Sequence, residues 1–232
     1  MIKNNLPSVS LELITEYKEA KPFPHIIIDN LLDEDLLKQA LQSIKQIPHH
    51  LWKQEDHREQ VFKRWIQSPA LLPSPAKDIL TWMNSEEMIG FISTLSDIPA
   101  LIPDHQYNGG GLHNVLPGGH LGIHYDFNYL PGTRYRRKIN ALLYMNAGWQ
   151  DDWGGFLELW NEKECLVKIK PQFNRLVIFN TDETSYHGHP DKVKCPDGIS
   201  RLAFAMYAYA EEKVEDLKPF HWSIWPDKFK GK

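Results

Sequence analysis

A succession of short β-type runs in the second half of the chain constrains its fold more than any other feature. The runs are Leu121 to Asn128, Lys138 to Asn146, Gly155 to Trp160, Cys165 to Lys170, Arg175 to Asn180 and Ser200 to Tyr209. Turn signals at Pro131-Gly132, Gly154-Gly155, Asn161-Glu162 and Pro196-Asp197-Gly198 break them up. Short strands at this spacing predict a sandwich or a barrel-like double sheet.

The first half reads differently. Pro22-Phe23-Pro24-His25-Ile26-Ile27-Ile28-Asp29-Asn30 is a β-branched run entering a turn. From Leu31 to Ile47 apolar residues recur at helical spacing behind Asp33-Glu34-Asp35, acids that a helix N-terminus favours. Two more helices are expected near Ser74 to Asn84 and Glu86 to Leu95. The fold class is therefore α+β and β-rich. Residues 1–103 supply a strand and helices that support the barrel, 104–210 form its core, and 211–232 are a tail packing on that core, all in one structural unit. Gly118-Gly119 reads as a turn and not a phosphate cradle, because no Lys-Ser or Lys-Thr follows it.

With 42% hydrophobic and 24% charged residues, the 232-residue chain is neither disordered, collagen-like nor a coiled coil. A net charge of −4 gives no electrostatic footprint for nucleic acid. Cys165 and Cys195 form no zinc, redox or disulfide pattern. The N-terminal residues lack the pattern of a secretory signal, and no apolar run is long enough to span a bilayer. These features lead us to expect a soluble cytoplasmic protein with no membrane partner; a homo-oligomer is compatible with them.

The chemistry concentrates in His124-Tyr125-Asp126. In a strand, alternate side chains share a face, so His124 and Asp126 point the same way. His187, in Ser185-Tyr186-His187-Gly188-His189, is available as a third ligand. Two imidazoles and one carboxylate make the facial triad that holds Fe(II) and leaves other positions open. Taken alone, His-x-Asp is a weak signal, because the same tripeptide also serves as a structural hydrogen-bonding pair. Arg201 sharpens it: it opens the last run with Ala203 and Ala205 on its face, and a buried guanidinium there needs an anionic partner. A bound carboxylate would supply one; the alternative is an edge arginine paired with Asp182 or Glu183.

Other residues keep two readings. His189 competes with His187 as the third ligand or is a loop histidine bonding backbone; the Tyr-His-Gly context favours His187. His113 and His120 either line the mouth of the site or are solvated loop histidines, whereas His49, His50 and His57 are read as surface residues. Arg134, Arg136, Arg137 and Lys138 form a solvated basic run or a gate for an acidic substrate. Trp149, Trp153 and Trp160 cover the barrel mouth or pack in the core.

The order Leu121-Gly-Ile-His124-Tyr-Asp126-Phe-Asn128, Gly154-Gly155-Phe-Leu-Glu158-Leu, Asn174-Arg175-Leu-Val-Ile-Phe179, Ser185-Tyr186-His187-Gly188 and Ser200-Arg201-Leu202 resembles the 2-oxoglutarate and Fe(II)-dependent oxygenases, within them the prolyl-4-hydroxylase-like branch. The resemblance covers residues 105 to 210 and extends weakly over Pro22 to Ile44. It implies a double-stranded β-helix, a jelly-roll or cupin-like barrel, with Fe(II) held by His124, Asp126 and His187. Arg201 would bind the distal carboxylate of 2-oxoglutarate, assisted by Tyr144, with Asn140 and Leu142 on the same inward face; Asn114 is a further polar contact in some relatives. O2 is the co-reactant and ascorbate a compatible reductant. The implied reaction hydroxylates a polypeptide side chain or a small metabolite while 2-oxoglutarate becomes succinate and CO2.

Two details qualify the likeness. Many of the branch carry lysine where Arg201 stands, and Asp126 fills the place a halide would need, which disfavours halogenation. Two other readings remain, a metal-retaining binding module and a cupin-like isomerase or lyase. Substrate contacts are expected from the loops 104–120 and 147–154.

Overall fold

The computed structural model of the protein describes residues 2–230. In chain order its elements are α1 (Leu11–Glu19), β1 (His25–Asp29), α2 (Glu34–Ile44), β2 (Lys53–Gln54), β3 (Gln60–Ile66), α3 (Ser74–Met83), α4 (Glu86–Ser96), β4 (Ile102–Pro103), β5 (Gly111–His124), β6 (Tyr135–Tyr144), β7 (Leu157–Trp160), β8 (Cys165–Ile169), β9 (Arg175–Asn180), β10 (Tyr186–His189) and β11 (Arg201–Glu211). Helix α2 starts where Asp33 accepts a hydrogen bond from the Leu36 amide, with Glu34 and Asp35 in its first turn. Helix α4 is capped in the same way by Ser85.

The strands join in the order β1-β9-β6-β11-β5-β10-β7-β8, every pairing antiparallel, with β3 on β5 and β4 on β11 as branches. This curled, β-rich arrangement with few helices is a double-stranded β-helix. Its turning point is β5. Residues Gly111 to Val115 pair with β11, and past the bulge at 116–119 Leu121 and His124 pair with β10. One long strand thus links β11 to β10 and carries the sheet around its turn.

Side-chain alternation separates two environments. Leu112, Ile139, Ala141, Leu143, Leu176, Ile178, Leu202, Phe204, Met206 and Ala208 face the helices and pack with Leu37, Ala40, Ile79, Leu80, Met83 and Ile92. The alternate residues face the barrel interior. Strand β11 is therefore buried from Arg201 to Ala210, on both faces. Asn174, at φ 61°, ties the N-terminal segment to the sheet, its side-chain amide bonding both the amide and the carbonyl of Leu32.

Several expectations are revised. The strand expected over 121–128 begins ten residues earlier, at Gly111, and ends at His124. Gly111 and Gly119 are points of close approach to β3 within this strand, and Gly118-Gly119 lie in its bulge instead of a turn between strands. The supporting half also contributes more than one strand to the sheet, since β3 lies directly on β5. The tail of 211–232 crosses the barrel mouth as far as it is described; residues 231 and 232 lie outside the described residues.

Gly111 has φ 103°, and a β-carbon there would collide with the Ile66 carbonyl oxygen. Gly111→Ala is expected to destabilise the protein by roughly 3 kcal/mol through backbone strain and overpacking. A urea midpoint that falls at unchanged slope checks this.

Candidate metal centre and active site

His124 is the last residue of β5 and His187 sits opposite it in β10, so the register of one strand pair sets two imidazoles side by side. Their ring centroids are 4.6 Å apart. Each Nδ1 is occupied: that of His124 bonds the Gly122 carbonyl at 2.9 Å, and that of His187 bonds the Ser185 carbonyl at 2.8 Å. A carbonyl only accepts, so both Nδ1 atoms carry the proton and both Nε2 atoms keep a lone pair. Asp126 lies beyond the strand end, but its neighbour Tyr125 is bridged to Ile224, which holds the chain extended and preserves the alternation. Asp126 Oδ1 is 3.5 Å from His124 Nε2, and Oδ2 is 3.3 Å from His187 Nε2.

The three donor atoms lie within 4.8 Å of one another on buried or nearly buried side chains. Among the described residues this is the one group of three or more such side chains that could hold a metal. Two neutral imidazoles and one carboxylate suit a divalent first-row metal. Burial pushes the Asp126 carboxyl up, but the Arg137 guanidinium, with the two histidines, outweighs it and holds the carboxyl well below the usual range. Burial, helped by His187, lowers the His124 imidazole, which keeps it neutral and available.

Arg137, expected in a basic run that is either solvated or a gate, is neither: it is 3% exposed. Its Nη2 is 3.0 Å from Asp126 Oδ2, and its Nε and Nη2 bond Asn140 Oδ1 at 2.9 and 2.6 Å. The Asn140 amide in turn donates to Asp126 Oδ2 at 2.8 Å. The guanidinium lies 3.4 Å from the Tyr207 ring centroid. The other members of the run are solvated or paired outside the site: Arg134 with Glu211, Arg136 with Glu183 and Glu212, Lys138 with Glu212. Asn140, expected beside the carboxylate anchor, is instead committed to Asp126 and Arg137. Strand periodicity could not reveal Arg137, because β6 shifts register at Lys138 and turns Arg137 inward in its place.

Arg201 is 5% exposed and, among the described residues, has no acidic partner. Its Nε donates to the Gly155 carbonyl at 2.6 Å and its Nη2 to the Tyr144 hydroxyl at 3.0 Å. Asp182 is bonded to Thr184 and Ser185, and Glu183 to Arg136, so neither pairs with Arg201. A buried guanidinium with neutral partners fits a ligand carboxylate. Leu142 lines the same cavity. Asn114 does not: it sits between His113 and Val115, both cavity-lining, and faces the other way.

The cavity holds about 330 Å³ and takes in the triad, Arg137, Arg201, Lys63, Trp65, His113, Trp222 and Trp225. His189 also lines it, buried in β10 with Nδ1 unpartnered, and so is not a loop histidine bonding backbone. His113 lies in β5, as does His120, which is not among the lining residues. Trp149 packs with Val115 and Val193, and Trp160 packs near Tyr186 and Phe229. The mouth is covered by the C-terminal segment instead. Asn128 bonds Pro219 and His221 through their backbones, and Trp225 stacks on His124 at 5.4 Å. Nothing in the sequence pattern placed this segment, or β3 with Lys63 and Trp65, at the site.

Residues 110–209 match the family model described as the 2OG-Fe(II) oxygenase superfamily. That stretch runs from just before β5 to within β11 and contains the triad, Arg137, Tyr144 and Arg201, so the match falls on the whole constellation. Enzymes of this superfamily use Fe(II) and 2-oxoglutarate. Three solved structures share the fold. A prolyl hydroxylase from Trichoplax adhaerens, in complex with a hypoxia inducible factor oxygen degradation domain peptide fragment, is 18% identical, with 85% of this chain and 87% of that one covered and a TM-score of 0.59. A Pseudomonas putida prolyl-4-hydroxylase is 18% identical, covering 86% and 99%, at 0.57. HygX from Streptomyces hygroscopicus, with nickel and 2-oxoglutarate bound, is 12% identical, covering 88% of each chain, at 0.59. No curated protein sequence matches the chain.

Arg137→Met is expected to weaken Fe(II) binding by about 10- to 100-fold, because Asp126 loses the partner that orients and ionises it. The loss should grow as pH falls, since a carboxyl freed from Arg137 keeps its proton to higher pH and the metal must displace it. Anaerobic metal titrations at two pH values read both effects.

Proposed function

We propose that the protein is an Fe(II)- and 2-oxoglutarate-dependent dioxygenase that hydroxylates a C–H bond of a small metabolite or a polypeptide side chain. For each substrate hydroxylated, one O2 and one 2-oxoglutarate are consumed and one succinate and one CO2 released. A single juxtaposition carries this reading: a His-Asp-His donor set and a buried arginine without an acidic partner among the described residues open into one cavity.

The chain's own residues divide the work. His124 and His187 present Nε2 lone pairs fixed by their Nδ1 bonds, and Asp126 adds the carboxylate that Arg137 keeps ionised. Bound there, Fe(II) with 2-oxoglutarate supplies the oxidising power for O2 chemistry that no side chain provides. Arg201 and Tyr144 would take the distal carboxylate of 2-oxoglutarate through charge-assisted hydrogen bonds. Val115, Leu142, Leu157 and Ala203 give the cavity apolar walls, and Trp225 closes it beside His124, which limits water around the reacting groups. A non-catalytic binding module would have no need to keep Arg201, Tyr144 and the intact triad together, and a cupin-like lyase would be expected to hold its metal with a site richer in histidine. We keep a cytoplasmic setting within this reading, to which the free thiols of Cys165 and Cys195 are suited.

The test is an anaerobic titration with Fe(II) and then 2-oxoglutarate, following the visible band the two give together. The band should form in the wild-type protein, vanish in His187→Ala, and need about tenfold or more 2-oxoglutarate in Arg201→Ala, where a hydrogen-bonded charge pair is lost. Fe(II) bound with no band in the wild-type protein would contradict the proposal.

A further inference from the structure

Three cationic side chains line the cavity, and two of them have partners. Arg137 is paired with Asp126, and Arg201 is held by Tyr144 and Gly155. The third, Lys63, comes from β3, outside the stretch that matches the superfamily. Its Nζ donates only to Gln60 Oε1, at 3.4 Å, and no carboxylate lies within 4.0 Å of it among the described residues.

Strand register fixes where Lys63 stands. Lys63, Val115 and Arg201 occupy one row across β3, β5 and β11, and Trp65, His113, Ala203 and Tyr144 occupy the next. Arg201 leans away from Lys63, toward Tyr144 and Gly155. Lys63 is therefore set on the other side of Val115, on the wall made by β3, with Gln60, Trp65 and His113 around it.

We infer that Lys63 anchors the carboxylate of a small organic acid, the substrate, whose body lies against Trp65 and Trp225. This rests on the dioxygenase reading above and narrows its substrate. Size agrees with it: about 330 Å³, shared with 2-oxoglutarate, is at the lower end for small-molecule sites and suits a compact acid. Charge supports it as well. With Arg137 balanced by Asp126 and Arg201 assigned to the cosubstrate, one positive charge is left over. A single ammonium among neutral amide and imidazole groups matches one negative charge; a phosphate takes more donors.

The ammonium pays for its position. Burial, reinforced by Arg201 and Arg137 and opposed by Asp126, pulls Lys63 down to about 8. An anion beside it would relieve that penalty.

The experiment uses the full chain loaded with Ni(II) and 2-oxoglutarate and a panel of small amino, hydroxy and aryl carboxylic acids, each beside its primary amide. Binding is read by tryptophan emission and by thermal shift, in wild type, Lys63→Met and Lys63→Arg. At least one acid should bind the wild-type protein and its amide should not. Its affinity should fall about tenfold or more in Lys63→Met and largely return in Lys63→Arg, as for a hydrogen bond to a charged group. The 2-oxoglutarate affinity should stay the same in all three.

Equal binding of acid and amide, unchanged acid affinity in Lys63→Met, or no acid bound by the wild-type protein overturns the assignment. A loss of 2-oxoglutarate affinity in Lys63→Met overturns it too, since Lys63 would then belong to the cosubstrate. Failure of the dioxygenase reading looks different: wild-type protein with Ni(II) would not bind 2-oxoglutarate at all.

Discussion

The molecule depends on one strand that changes partners partway along its length. β5 starts against β11 and ends against β10, and the bulge at 116–119 lets it leave one and join the other. Without that change of partner, His124 would not face His187, and the row containing Val115 and Arg201 would not lie in the same cavity as the triad. Bulges of this kind re-aim side chains at barrel rims. The helices contribute indirectly, by covering the outer face of the sheet so that its inner face can be given over to polar chemistry.

Within that frame the electrostatics are concentrated. Removing Arg137 and Asp126 from water is costly, and the pair is made tolerable by Asn140, which bonds both members, and by the Tyr207 ring under the guanidinium face. The arrangement fixes which Asp126 oxygen is occupied: Oδ2 receives Arg137 and Asn140, while Oδ1 has no such donor and faces His124 Nε2. Arg201 differs in having only neutral partners. A buried cation left in that state fits a site that a ligand completes.

Much of the barrel was legible in the sequence, because short alternating runs and turn residues are local signals. The limits of β9 agree with its predicted run, and those of β7, β8 and β11 agree to within about two residues. His124 and Asp126 share a face by alternation, and Arg201 stands out beside Ala203 and Ala205 for the same local reason, whereas His187 is singled out by its Tyr-His-Gly context and Tyr144 only by the family resemblance. What escaped depends on long-range pairing or on broken periodicity. β5 was hidden by glycines whose purpose is close packing against β3. Arg137 was hidden by the register shift at Lys138, which places it where an alternating strand would put its neighbour. Lys63 and Trp65 reach the site only because β3 pairs with a strand some fifty residues away. The C-terminal aromatics are held over the mouth by backbone bonds to Asn128, which no pattern of residue types announces.

The central claim is that the donor set and Arg201 are two ends of one ligand site. A crystal structure of the protein grown without oxygen, with Mn(II) and 2-oxoglutarate, measures this directly. The account predicts Mn(II) on His124 Nε2, Asp126 and His187 Nε2, with the distal carboxylate of 2-oxoglutarate bonded to Arg201 and Tyr144. Metal on other residues, or that carboxylate held away from Arg201, would contradict it.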